Sequence, residues 1–194
     1  LSHEYPRAVF FAAQALGRIG FQDAVAPILS MLERNNDKDV YLRHAGVLAL
    51  TRIGQEGPVA ALVDHPSRAL RTAAVLVLRR MKSEKVALFL QDKDEYIVAE
   101  AARAINDDLS IEKALPALAA TLSEKRFLSE PLLRRGINAC LRVGGEKEMD
   151  ILISFANRKD LPAPIRAEAL ATLGGWASPS VLDRVDGRFR GKID

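Results

Sequence analysis

The stretch Leu42–Gly54, LRHAGVLALTRIG, decides how the chain is read. An Arg stands near its start, small residues run through its middle, leucines follow, and a Gly closes it. The same shape returns as LRTAAVLVLRRM (Leu70–Met81), LRRGINACLRVGG (Leu133–Gly145) and IRAEALATLGGW (Ile165–Trp176). Each copy can be anchored on one apolar residue near its end: Leu16, Leu50, Leu78, Ile105, Leu141 and Leu173. Successive anchors lie 34, 28, 27, 36 and 32 residues apart. A period in this range is the signature of a repeat array, in which one supersecondary unit buries its faces only against its neighbours.

Four residues before the anchors stand Ala12, Gly46, Ala74, Ala101, Ile137 and Ala169. One before stand Ala15, Ala49, Val77, Ala104, Cys140 and Thr172. These positions share one helical face with the anchor, and their small size lets a neighbouring helix come close. Between them runs a second, more amphipathic set, including Ala24–Asn35, Glu112–Lys125 and Glu146–Arg158, with shorter members GPVAALVD and EKVALFLQD. Asp39, Ser67 and Asp94 are N-cap residue types, and Gly20, Gly54 and Gly144 stand where helices end. No segment alternates as a strand does.

Helix pairs of about 30 residues, with an Asp-bearing turn followed by an LRxAAxxALxxIG-like helix, resemble HEAT repeats of the short bacterial kind. The resemblance implies an all-α, right-handed α-solenoid of about six HEAT-like helix pairs, the first pair lacking its opening helix. The array is expected over residues 1–176, with 177–194 as an extended C-terminal cap or linker. In the first case Val181, Leu182, Val185 and Phe189 are expected to lie on exposed core.

Seven residues before the anchors stand Arg43, Arg71, Arg134 and Arg166. They fall about 20° from the anchor on a helical wheel, at the edge of the buried stripe. In HEAT-like repeats an Arg here reaches the Asp-bearing turn of a neighbouring repeat. Asp37, Asp39, Asp64, Asp92, Asp94 and Asp160 occupy such turns, so the four arginines are read as a structural ladder. Arg18, Arg52 and Arg80 stand two residues after their anchors, opposite the core stripe, and Arg103 falls on the same side of its helix. If their helices line the concave face, as in HEAT solenoids, these four are the candidate partner-binding residues, suited to an acidic segment.

Catalytic chemistry finds no set of residues. A di-iron site of the kind some HEAT-like hydroxylases build needs several His-Glu pairs, and the one pair here is His3-Glu4. His44 precedes Ala45, and His65 lies in a turn before Pro66. The single cysteine, Cys140, rules out an internal disulfide and a multi-cysteine zinc site, and its neighbours mark it as a buried thiol. No phosphate loop, nucleophile elbow or haem-attachment motif occurs. The expectation is therefore no enzyme and no cofactor, metal or small-molecule ligand. A net charge of +3 is a small imbalance for a nucleic-acid binder. The expected partners are a protein or neighbouring domains of the same polypeptide, with nucleic acid bound through the basic stripe the weaker alternative. No run approaches the length of a membrane span. The opening LSHEYPRAVFF lacks the pattern of a signal peptide and reads as the start of a mature form or of a piece of a longer protein.

The second half carries a closer resemblance. ARAINDDLSIEKALPALAATL, PLLRRGINACLRVGG and PIRAEALATLGGWASPSVLDRVDGRFRG follow one another as in the HEAT region of large exported bacterial proteins. Those proteins combine a glucose/sorbosone-dehydrogenase-like β-propeller with a c-type haem domain. Trp176, Pro179, Asp183, Arg184, Val185 and Gly187 carry the resemblance most clearly. It implies a non-catalytic interaction or spacer scaffold, or an accessory module of such a protein, in a periplasmic or otherwise exported setting.

Overall fold

The computed structural model describes Leu1, residues 5–107 and residues 111–192. Among these residues the chain is all-α, of the α-solenoid class. The repeated helices are α1 (Pro6–Arg18), α3 (Val40–Ile53), α5 (Arg68–Met81), α6 (Glu95–Asn106), α8 (Glu130–Val143) and α10 (Ala163–Gly174). Their partners are α2 (Val25–Asn35), α4 (Glu56–Ala60), a 3-10 stretch over Glu84–Gln91, α7 (Leu115–Ala120) and α9 (Glu146–Ala156). The short partners, α4 and Glu84–Gln91, fall in the two shortest spacings of the repeat, 28 and 27 residues. A full turn-helix-turn connection does not fit there, and Gly57 and Pro58 at the start of α4 weaken it further.

Local chemistry sets the helix ends. The Asp39 carboxylate accepts from the N–H groups of Tyr41 and Leu42, Asp94 from Tyr96, and the Ser67 hydroxyl from Leu70. Each satisfies a donor the first turn leaves unpaired. Gly54 and Gly144 close α3 and α8 at φ +81° and +76°, backbone that a Cβ disfavours. Lys82 closes α5 in the same left-handed conformation, at φ 53°.

The chain divides into two compact units, Leu1–Asp92 and Lys93–Asp194. In the first, α1, α3 and α5 lie side by side in chain order, and α2 packs on α3 and α5. The core holds Ile28, Leu50, Leu78, Phe89 and Leu90. Small residues set the approach: a Cβ on Gly17 would lie 2.6 Å from Cα of Ala49, and one on Gly46 2.7 Å from the Leu32 side chain. In the second unit α8 packs on α6, α7, α9 and α10, around Ile97, Ile105, Leu118, Leu122, Ile137 and Leu152.

The segment after Trp176 also belongs to the second unit. It forms a small hairpin whose Leu182 and Phe189 pair as a single antiparallel bridge. Of the residues that a cap, one of the two roles expected for this segment, would lay on core, Leu182 is 50% and Phe189 74% exposed, Val181 is exposed and Val185 half-buried, while Asp183 is buried. Polar bonds hold this hairpin, because its apolar residues are too few and too widely spaced to form a face of their own.

Candidate functional site

Arg18, Arg52 and Arg80 occupy the last turns of α1, α3 and α5, three neighbouring helices of the first unit, and all three are exposed. Cations at helix C-termini are favoured by the helix dipole, so this placement has a local cause as well as a possible external one. The Arg52 guanidinium donates to Gln14 Oε1 on α1 at 3.0 Å and so reaches back across the helix pair. Arg103 lies in the second unit, half-buried, and pairs with Glu100 on its own helix.

The connections beside these arginines are tied by a polar ladder. The Gln22 amide donates to the carbonyls of Gly20 and Ile53, and the Gln55 amide donates to Gln22 Oε1. In the next connection Lys85 Nζ stands 2.8 Å from Glu56. Gln22 and Gln55 closely follow the helix-ending Gly20 and Gly54, and that shared position is the signal by which sequence could have found them.

The other four arginines take different partners. Arg71 is 4% exposed; its Nε lies 2.7 Å from Asp92 Oδ2, and its Nη1 donates to the carbonyls of His65 and Pro66. Arg43 lies 3.4 Å from Asp37, in the turn before its own helix. Arg134 sits between Glu130 and Glu168. The Nε of Arg166 is buried with no hydrogen-bond acceptor among the described residues. Asp160, the turn carboxylate of that copy, is held instead by Arg158 at 2.7 Å.

A polar cluster that sequence reading missed lies in the second unit. The Asn138 amide on α8 donates to Asn106 Oδ1 on α6 and to Asp183 Oδ2, both at 2.9 Å. Asp183 Oδ1 accepts from the N–H groups of Val185 and Asp186. Arg190 donates to Asp183, Asp186 and the Asn106 carbonyl. Arg135 binds both oxygens of Asp107. Burial raises the Asp183 pKa, but the two backbone N–H groups, Asn138 and Arg190 outweigh it and hold the carboxyl below the usual range. Asn106 and Asn138 are polar residues close to the anchor on an apolar face, a visible sign that a buried partner exists.

Cys140 is buried, with Sγ 4.0 Å from the Ala119 carbonyl. Burial and then the Glu148 charge push its thiol up to about 12, which removes the thiolate that nucleophilic chemistry needs. His65 Nδ1 accepts from the Ser67 N–H, His44 is exposed, and His3-Glu4 lies outside the described residues. Among the described residues no group of three or more His, Cys, Asp or Glu could hold a metal ion, and no helix is long and apolar enough to cross a membrane. A groove of about 720 Å³ along α9 mixes Lys125, Lys147 and Arg158 with Glu146 and Asp150, so it presents no single sign of charge.

With this geometry in view, residues 1–79 match the family model of HEAT repeats. The match spans α1 to α4 and most of α5, all within the first unit. HEAT repeats commonly mediate protein–protein interaction, and their scaffold is typically non-catalytic. Among solved structures, an engineered protein from the Northeast Structural Genomics Consortium aligns over 92% of this chain and 96% of that chain. Identity is 16% and the TM-score 0.48. No curated protein matches the chain.

Proposed function

We propose that this HEAT-like domain is a non-catalytic scaffold that binds a protein segment or holds neighbouring domains of one polypeptide at a fixed geometry. The observation that carries the reading is the exposed basic series Arg18, Arg52 and Arg80 on three adjacent helices. Residues 1–92 contain twelve Lys and Arg against nine Asp and Glu, and residues 93–194 sixteen against sixteen, so the whole net charge lies in the first unit. An acidic, extended segment is the partner this unit suits, because exposed charges act over about 8 Å at physiological ionic strength. The resemblance of the second half to exported propeller–haem proteins supports a spacer role within such a polypeptide, with the chemistry residing in other domains.

The test uses a labelled, unstructured Glu-rich peptide and a duplex DNA of equal charge. Wild type is expected to bind the peptide in a salt-sensitive way, and the triple change Arg18→Glu, Arg52→Glu, Arg80→Glu to abolish that binding with helix content retained. Equal peptide binding by both proteins overturns the reading. Tighter binding of the DNA, with a steep salt slope, overturns it in favour of nucleic acid.

A further inference from the structure

The cation row Arg18, Arg52 and Arg80 has a spacing that narrows what it can receive. Arg52 stays exposed on α3 although α1, α2 and α5 all pack on that helix. Arg80 stays exposed on α5 although α2, α3, α4 and the Glu84–Gln91 stretch pack there. Their exposure therefore belongs to the repeat and not to an end of the chain. Among the described residues none of the three guanidiniums meets a carboxylate. Arg52 donates to the neutral Gln14, and Arg18 and Arg80 make no side-chain hydrogen bond or ion pair. Arg43 and Arg71 of the same unit are each paired with an Asp.

The row is in register. A Cβ on Gly17, one residue after its anchor, would lie 2.6 Å from Cα of Ala49, one residue before its own, so α1 and α3 touch beside their anchors. The Arg52–Gln14 bond spans the same contact, and α5 lies beside α3 in turn. Packed helices stand about 8–10 Å apart, so the backbone positions of the arginines recur at about that interval. One turn before them, at half-buried positions, stand Gln14, Leu48 and Leu76. A cationic row and a largely apolar row run side by side at the spacing of the repeat.

A polyproline II segment returns to the same face at every third residue, about 9 Å. A β-strand returns about every 7 Å, and an α-helix about every 5.4 Å, which leaves alternate turns idle. We infer that the row receives an acidic, proline-containing segment of a partner protein in the polyproline II conformation, with Glu or Asp at every third residue set against Arg18, Arg52 and Arg80. The residues between the acids lie on Leu48 and Leu76. Such a segment is stiff before it binds, so little ordering entropy opposes the contact. A second copy of the chain offers one near match, Pro179 with Asp183 and Asp186, but Asp183 is buried and Asp186 is held by Arg190. The inference rests on the interaction reading above and adds to it a conformation and a spacing, which can fail separately from it.

The probes are two labelled peptides of one composition. One is four repeats of Glu-Pro-Pro; the other is Glu-Pro-Glu-Pro-Glu-Pro-Glu followed by five Pro. The period-three peptide is expected to bind the chain about tenfold or more tighter than the period-two peptide. Arg52→Ala with Arg80→Ala, both at exposed positions, should bring it to the level of the period-two peptide with helix content retained. Arg7→Ala, at an exposed cation of the same unit outside the row, should change neither. Equal binding of the two peptides, or tighter binding of the period-two peptide, overturns the inference. If the triple Glu variant then abolishes binding of both, the scaffold reading stands and only the spacing is lost. No binding of either up to about 1 mM also overturns the inference, and the unstructured Glu-rich peptide then decides the scaffold reading by itself. If protein purified from its native cells fails to bind the period-three peptide that residues 1–194 bind, a segment of its own polypeptide holds the row and the assignment to a partner falls.

Discussion

Arg71 and Asp92 form a buried ion pair, Nε to Oδ2 at 2.7 Å, with side chains 4% and 1% exposed. The pair joins α5 to the end of the 3-10 stretch that follows it. The Arg71 Nη1 also satisfies two carbonyls of the turn before α5, so one guanidinium fastens both connections of a repeat. Removing one partner leaves the other charged and buried. Asp92→Ala is expected to cost about 3–5 kcal/mol in urea unfolding, because an uncompensated buried charge is the larger penalty. Arg43→Ala, whose pair with Asp37 is partly exposed at 3.4 Å, should cost at most about 1 kcal/mol.

Gly17 and Lys82 make opposite predictions from backbone geometry. Gly17→Ala pushes a methyl against the Ala49 backbone and should destabilise by about 1–3 kcal/mol, as overpacking does. Lys82 holds the left-handed position that Gly20 and Gly54 hold four residues after their anchors. Lys82→Gly should stabilise by about 0.5–1 kcal/mol, since the relieved strain exceeds the extra chain entropy. Thermal denaturation of both variants reads the two signs.

The hairpin after Trp176 should loosen in acid. The folded-state pKa of Asp183 is depressed, so its contribution to stability is fully present above the ordinary carboxylate pKa of about 3.9. It is lost as pH falls from there through the lowered folded value. Hydrogen exchange at Val185 and Asp186, whose N–H groups bond to Asp183, should accelerate over that window, and Asp183→Asn should shift it. Unchanged exchange down to the acid unfolding of the helices would count against the role of this carboxylate.

Cys140 should resist alkylation in the native state at pH 8 and react on unfolding. Its raised thiol pKa means that only the unfolded state gives up the proton just above about pH 8.5, so stability declines as pH rises past that point. Cys140→Ala should flatten this alkaline decline. Labelling by iodoacetamide with and without urea checks the first statement, and urea melts at two alkaline pH values check the second.

The sequence by itself determined the repeated helices, their order, the N-caps of α3, α5 and α6, and the buried faces of α3, α5, α6 and α8. Those features follow from a periodicity of small and apolar residues and from cap chemistry within a few residues of chain. Helix α3 and the Asp39 cap are examples, and so is the reading of Cys140 as a buried thiol. Tertiary structure alone decided which charges meet. Arg71 and Arg166 hold the same place in the repeat, yet Arg71 finds Asp92 while Arg158 takes the turn carboxylate of the Arg166 copy. Pairings across 21 residues, as in Arg71–Asp92, or 45, as in Asn138–Asp183, depend on distances that the stacking of helices creates, and local periodicity carries no record of them.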